Sequence, residues 1–338
     1  MTKIIIDAYG GDNAPLAVVE GALSALDKRE DLSIILTGKK AELEKLITRN
    51  HERIEVIDAS EIITNDEVPT VAIRKKTDSS LVKAFEALMS RDDIGGIVSA
   101  GSTGALLTGA FLKVGRIKGI SRPALAPLLP TVDGSGVVLC DCGANVDCKA
   151  IHLLHFAYMA NAFYKLSTNA KKPPSIALLS NGTEDKKGNE VSREAFELLK
   201  NSGLNFKGNI EARDILTGET DVVIADGFNG NIALKSIEGA AVSIFSLLKQ
   251  KIAKGSLRVK IGSLLLKPTL RKLKNDLDYS SNGGAVFLGV EKVVVKVHGS
   301  AKSASVCAGI MQAAELSKLD IVEQIKKEIA MLKDLENE

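Results

Sequence analysis

Short runs of β-branched and aliphatic residues recur along the chain, and most are uninterrupted rather than alternating with polar residues. They are KIIID (3–7), LSIILTG (32–38), RIEVIDA (53–59), GGIVSAG (95–101), VVLCDCG (137–143), SIALLSNG (175–182), GNIEARD (208–214), DVVIADG (221–227) and VVVKVHG (293–299). A strand that is apolar on both faces has no side for water, so it must be covered on both. Helix-periodic segments separate the runs at 15–28, 39–49, 79–90, 149–166, 190–201, 231–253 and 303–316. This alternation predicts a three-layer α/β/α sandwich around a mostly parallel sheet. We expect one catalytic domain over 1–328, a basic apolar helical excursion at 249–278, polar loops at 64–78 and 181–189, and a charged tail at 329–338.

Composition narrows the function. With 45% hydrophobic residues in 338, the chain can bury a large core. Net charge is +2 and tryptophan is absent, so neither a nucleic-acid footprint nor a stacking platform is expected. The opening MTKIIIDAYGGD reaches Asp7 too soon for a signal peptide, and a cytoplasmic protein is expected. Cys140, Cys142, Cys148, His152 and His155 lie close in sequence, but their spacing matches no standard zinc pattern. Buried thiols and helix-lining histidines are expected there, with no metal.

In parallel sheets, ligands gather beyond the carboxyl ends of the strands. The unusual residues of this chain fall there: Asp7–Asp12, Ser99–Ala105, Asp141–Asp147, Ser180–Asn189, Asp226–Asn231 and His298–Ser300. Any one of these alone reads as a turn or a helix cap. Together they suggest a site rich in backbone N–H groups and hydroxyls, suited to an anion. Neither G-x-G-x-x-G nor a Walker loop is present, which argues against a nucleotide and against a dehydrogenase.

The motifs DAYGGD, VSAGSTGALL, DCGANVD, GNIEARDIL, DVVIADGFNGNIALKSIEG, NGGAVFLGV and VKVHGSA, in this order, resemble the phosphate acyltransferase family of bacterial phospholipid synthesis from Asp7 to about residue 316. Tyr9, Ser102, Ala212, Asn282 and Val286 depart from the family's usual residues. The resemblance implies a fold similar to phosphotransacetylases and to isocitrate/isopropylmalate dehydrogenase-like enzymes, and a homodimer. It also implies a reaction: acyl-[acyl-carrier protein] plus inorganic phosphate gives acyl phosphate and free carrier protein. The product feeds a membrane glycerol-3-phosphate acyltransferase. No cofactor is implied, and phosphate itself is the nucleophile, which agrees with the lack of a G-x-S-x-G elbow.

That chemistry needs an oriented phosphate, donors for the carbonyl oxygen and a proton for the leaving thiolate. Under this reading phosphate is assigned to Ser102, Thr103 and Gly104, with Gly10, Gly11, Gly230 and Asn231 also lining the substrate site. Asn145 or Asn181 supplies oxyanion donors, Lys187 engages phosphate, and His298 is the acid. Asp226 either orients His298 or a lysine, or caps the following helix.

Residues 249–274 carry nine basic residues and no acid, interleaved with Ile and Leu. Arg258, Lys260, Leu264, Leu265, Leu266 and Arg271 are the expected contacts with an anionic lipid surface, which would place the protein peripherally on the inner face of the membrane, or with the carrier protein, which is acidic as a family. An ordinary helix pair with solvated lysines is the plain alternative. Two other functions are weighed: a coenzyme A-dependent short-chain phosphate acetyl- or butyryltransferase, and a non-catalytic anion-binding scaffold at the membrane.

Overall fold

A computed structural model of the chain describes residues 1–276 and 283–336. The departure at Asn282, the end of the expected excursion (277–278) and the last two residues of the expected tail lie outside them. The strands are β1 (Thr2–Asp7), β2 (Leu32–Gly38), β3 (Ile54–Asp58), β4 (Ile94–Ser99), β5 (Ala124–Ala126), β6 (Leu128–Leu129), β7 (Val137–Cys140), β8 (Ile176–Ser180), β9 (Phe206–Glu211), β10 (Val222–Ile224), β11 (Ala285–Leu288) and β12 (Val293–Lys296). The helices are α1 (Leu16–Lys28), α2 (Lys40–Leu46), α3 (Pro69–Lys75), α4 (Ser80–Ser90), α5 (Thr103–Gly109), α6 (Ala150–Thr168), α7 (Glu190–Lys200), α8 (Gly227–Ala253), α9 (Leu257–Asp276), α10 (Ser303–Lys318) and α11 (Ile321–Glu336).

One sheet has the order β3-β2-β1-β4-β12-β11-β5 and a second the order β6-β7-β10-β8-β9. Pairing is parallel except at β11, which runs against both β12 and β5, and at β6, which runs against β7. The register explains the uninterrupted apolar runs. Ile4 and Ile6 of β1 sit beside Ile34 and Leu36 of β2 and belong to one core, while Ile5 sits beside Ile35 in the core of the opposite face. The first core, closed by α1, α6, α10 and α11, continues under the second sheet through Val138, Leu178 and Val222. The second core is closed by α3, α4 and α5, and a third by the first turns of α8 over Leu139 and Val223. Each such Ile, Leu or Val contributes about 1.5–3 kcal/mol when buried.

The two sheets join at residues 124–129, which face both. β5 bonds to β11 on one edge, while Cys142 N donates to Leu125 O at 2.9 Å and Leu139 N to Pro127 O at 3.2 Å on the other. Because β11 is antiparallel to both β12 and β5, β5 runs with β4 and β12, and β7 runs against it. Apart from β6 and β11, the strands of the second sheet therefore point opposite to those of the first. The polar strand ends divide accordingly into two groups: those after β1, β4 and β12, and those after β7, β8 and β10.

Two segments differ from expectation. Within the polar stretch 64–78, Pro69–Lys75 is helical, with proline at the first turn and Ala72 and Ile73 buried. The expected tail continues α11 as far as Glu336, with Ile329 and Leu332 in the core.

Candidate active site

At the centre of the first sheet, β1 ends at Asp7, only 3% exposed. Ser80 Oγ donates to its Oδ1 at 2.6 Å and Ser99 Oγ to its Oδ2 at 2.7 Å. Burial pushes the Asp7 carboxyl up, and these hydrogen bonds oppose it. Gly10 packs so tightly on this group that a Cβ would lie 2.5 Å from Asp7 Oδ2 and 2.6 Å from Gly101 N. Gly11 turns with φ +99°, and Asp12 N donates to Gly299 O at 2.8 Å. The loops after β1, β4 and β12 thus converge.

Lys296, in the last position of β12, is 8% exposed, and its Nζ donates to Ala100 O and Val297 O. Burial first, then nearby Lys235, depress its ammonium to about 8, with Asp7 and Asp12 pulling the other way. Lys235 belongs to α8, so that helix comes within electrostatic reach of the first group of strand ends. His298 is exposed; its Nδ1 lies 2.9 Å from Ser300 Oγ and accepts from Ser300 N at 3.2 Å. Ser102 caps α5, accepting from Ala105 N at 3.4 Å, followed by partly exposed Thr103 and by Gly104, which packs against Pro69.

In the second group, Asp141 is buried and accepts four hydrogen bonds: from Leu125 N and Ala144 N at Oδ1, and from Asn145 N and Asn145 Nδ2 at Oδ2. The other amide hydrogen of Asn145 goes to Pro123 O at 2.7 Å. Both hydrogens of the Asn145 amide are therefore spent inside the protein, a correction to its expected part as an oxyanion donor. The N-terminus of α8 rests on this loop. Gly227 N donates to Asn145 O at 2.8 Å, and a Cβ on Gly230 would land on the Asp141 carbonyl oxygen. The glycines of DGFNGN are needed for contact between two backbones of the protein itself. Asp226 caps α8: Oδ1 accepts from Asn229 N and Oδ2 from Asn229 Nδ2, both at 2.7 Å. Among the described residues no contact joins it to His298. Asn231 lies against Gly143, 3.5 Å from a Cβ built there.

Beyond β8 and β9, beside α8, opens a cavity of about 710 Å³. Its polar side is Ser180, Asn181, Asn189, Ser192, Arg213, Asn229 and Ser236; its apolar side is Leu179, Ile232, Ala233, Ile237 and Ala240. Asn181 Oδ1 accepts from Gly188 N at 3.0 Å, which fixes the amide plane at the wall. Lys187 is exposed on the adjoining turn, its stem against Gly182.

The family model described as "Fatty acid synthesis protein" matches residues 2–324. The phosphate acyltransferase of Bacillus pumilus (strain SAFR-032) is 46% identical over 328 residues, 97% of each chain. That of Clostridium novyi (strain NT) is 45% identical over 331 residues, covering 97% of this chain and 98% of the relative. The chain belongs to the phosphate acyltransferase family. It is thus an enzyme, a transferase of acyl groups. Among solved structures, a phosphotransacetylase from Streptococcus pyogenes superposes with a TM-score of 0.61 at 18% identity, covering 95% of this chain and 94% of the other. A branched-chain phosphotransacylase from Enterococcus faecalis V583 gives 0.59 at 15%, covering 94% and 99%. These likenesses bear on the fold, which is the phosphotransacetylase-like α/β sandwich expected.

Of the expected residues in this acyltransferase, Asn181 lines the cavity, Lys187 flanks it, and Gly230 and Asn231 lie on the helix that forms its wall. Gly10, Gly11, Ser102, Thr103, Gly104 and His298 belong to the first group of strand ends, and Asn145 lies beneath α8. Ser192, Arg213, Asn229 and Ser236, which line the cavity, and buried Lys296 are not among the residues expected from the sequence. Lys296 carried a usable signal: a lone charge inside VVVKV, a run otherwise buried. The others are ordinary surface residue types until folding places them around one space.

Proposed function

We propose that the chain transfers an acyl group from acyl-[acyl-carrier protein] to inorganic phosphate. A phosphate oxygen attacks the thioester carbon, the C–S bond breaks, and the carrier thiolate takes a proton, leaving acyl phosphate and free carrier thiol. This is the step that feeds acylation of glycerol 3-phosphate at the membrane. One observation carries the assignment: the cavity beside α8 joins a polar end, rich in hydroxyl, amide and guanidinium donors, to an apolar wall that can follow an acyl chain. Asn181 and Asn229 hold the reacting oxygens, and Lys187 reaches in from its turn to the phosphate. His298, whose Nδ1 is engaged by Ser300, is not among the residues lining this cavity; it stands with the first group of strand ends and offers Nε2 as the acid for the thiolate where the anion is held there. Ser102, Thr103 and Gly104, with Gly10 and Gly11, remain the second place for the anion.

The hairpin of α8 and α9 supports the proposed partners. Its apolar side chains stand in solvent: Val242 is 70% exposed and Leu265 78%. Gly227–Lys254 is long and apolar enough to cross a membrane by length and composition, yet only 11% of its most apolar window is buried. Arg258, Lys260 and Arg271 are exposed beside Leu264 and Leu266. This surface fits a second copy of the chain along its apolar side and an anionic lipid surface at its basic part, a peripheral placement on the inner face of the membrane.

The test is thiol release from acyl-carrier protein, with and without phosphate, with acyl-coenzyme A as the competing donor. Release that needs phosphate and prefers the carrier protein is expected. Lys187→Ala should raise the phosphate KM, and His298→Ala should lower kcat by about a hundredfold or more. Unchanged constants in both variants remove those roles.

A further inference from the structure

A second cavity, of about 580 Å³, opens between α3, the end of α5 with the π turn Ala110–Val114, and the loop that leads into β5. Arg74, Arg116 and Arg122 line it together with Phe111 and Leu112, which are 41% and 44% exposed. The arginines here differ from five others in this protein. Arg29, Arg49, Arg53, Arg91 and Arg213 each pair with a carboxylate. Arg74 and Arg122 make no ion pair or side-chain hydrogen bond among the described residues. Among the described residues the Arg116 side chain donates to the Ser121 carbonyl and lies over the Phe111 ring at 4.9 Å.

The sequence around them also keeps acids away. From residue 94 to residue 132 there is no Asp or Glu, but there are Lys113, Arg116, Lys118 and Arg122. The nearby carboxylates of Glu67 and Glu86 are already taken by Lys76 and Lys113. Free guanidinium groups beside an exposed aromatic ring are the make-up of a protein-binding hot spot, not of a solvated face.

We propose that this face docks the acidic surface of the protein that delivers the acyl group. The inference rests on the carrier-borne donor proposed above. Its place in the fold suits that task. The cavity is also lined by Asn145, whose carbonyl oxygen accepts from Gly227 N, the first residue of α8. Within the next two turns of α8, Asn229 and Ile232 line the catalytic cavity. A carrier protein seated on the arginines therefore stands beside the base of the helix that forms the reaction site. Charge complementarity brings it there and sets its orientation.

The experiment compares wild type with the double variant Arg74→Glu, Arg122→Glu in the thiol-release assay. KM for acyl-carrier protein should rise about tenfold or more, while kcat at saturation and the phosphate KM stay near wild type. The wild-type KM should climb with salt and that of the variant much less. If the reversal variant does not fold, as judged by thermal melting, Arg74→Gln with Arg122→Gln reads the same contact. An unchanged carrier KM overturns the proposal. A phosphate KM that rises in step overturns it in favour of an anion subsite, and lost vesicle binding with an unchanged carrier KM overturns it in favour of lipid. If the wild type itself releases no thiol in the presence of phosphate, the donor assignment falls, and the ground for this docking with it.

Discussion

Gly230 shows how one residue can look functional for the wrong reason. Two glycines and two asparagines after a buried strand suggest backbone laid open to an anion. In the fold, Gly230 is the point where α8 meets the carbonyl of Asp141, and no side chain fits there. The contact is between two backbones, so neither can move aside cheaply. Gly230→Ala should cost about 2–4 kcal/mol in urea denaturation and displace the α8 wall of the cavity. Lys296 makes a different prediction. Its folded pKa is lowered from 10.5 to about 8, so between these pH values the unfolded chain binds more protons. Stability relative to a Lys296→Met variant should therefore rise as pH goes from about 8 towards 10.5, and be flat below 8. Denaturation midpoints of both proteins across this range check the sign.

At the scale of elements, α11 and α3 are instructive because their signals were present and outweighed. In α11 the apolar residues Ile321, Ile325, Ile329 and Leu332 recur at helical spacing and are all buried. The charges between them are what suggested a free tail. Glu328, itself buried, accepts from Asn161 Nδ2 at 3.1 Å and Lys165 Nζ at 3.0 Å, tying α11 to α6. Glu328→Ala should destabilise the protein by about 2 kcal/mol, measured by thermal or urea unfolding, because it strands a buried amide and weakens a partly covered ammonium. In α3, Pro69 at the first turn was the missed mark of a helix start. The helices expected at 15–28, 79–90 and 190–201 needed no such correction, since their buried apolar residues recur at helical spacing and Ser79 and Asn189 cap the second and third.

For the whole molecule, the α8–α9 hairpin is the feature that a lone chain leaves unsatisfied. Changing Leu264, Leu265 and Leu266 to Ser should abolish pelleting with anionic vesicles and leave thermal stability within about 0.5 kcal/mol, because these side chains already face solvent. Equal pelleting of wild type and variant counts against the lipid contact.

What the amino-acid sequence determined by itself was the layered α/β class, the order of most elements and membership of the phosphate acyltransferase family. These follow from local periodicity and from motifs that are contiguous in the chain. It also marked the polar loop after β8, where Asn181 lines the cavity, because polar residues clustered after an apolar run are visible locally. The tertiary structure alone decided the rest. The reversal of strand sense at 124–129 arises from pairing between distant segments, and β5, β6 and β11 are too short to carry a period of their own. Asn145 became a buried brace because Pro123 and Asp141 fold around it, and Arg74 joined Arg116 and Arg122 because α3 packs beside α5. Such placements depend on which surfaces meet, and no window of sequence contains both sides of a contact.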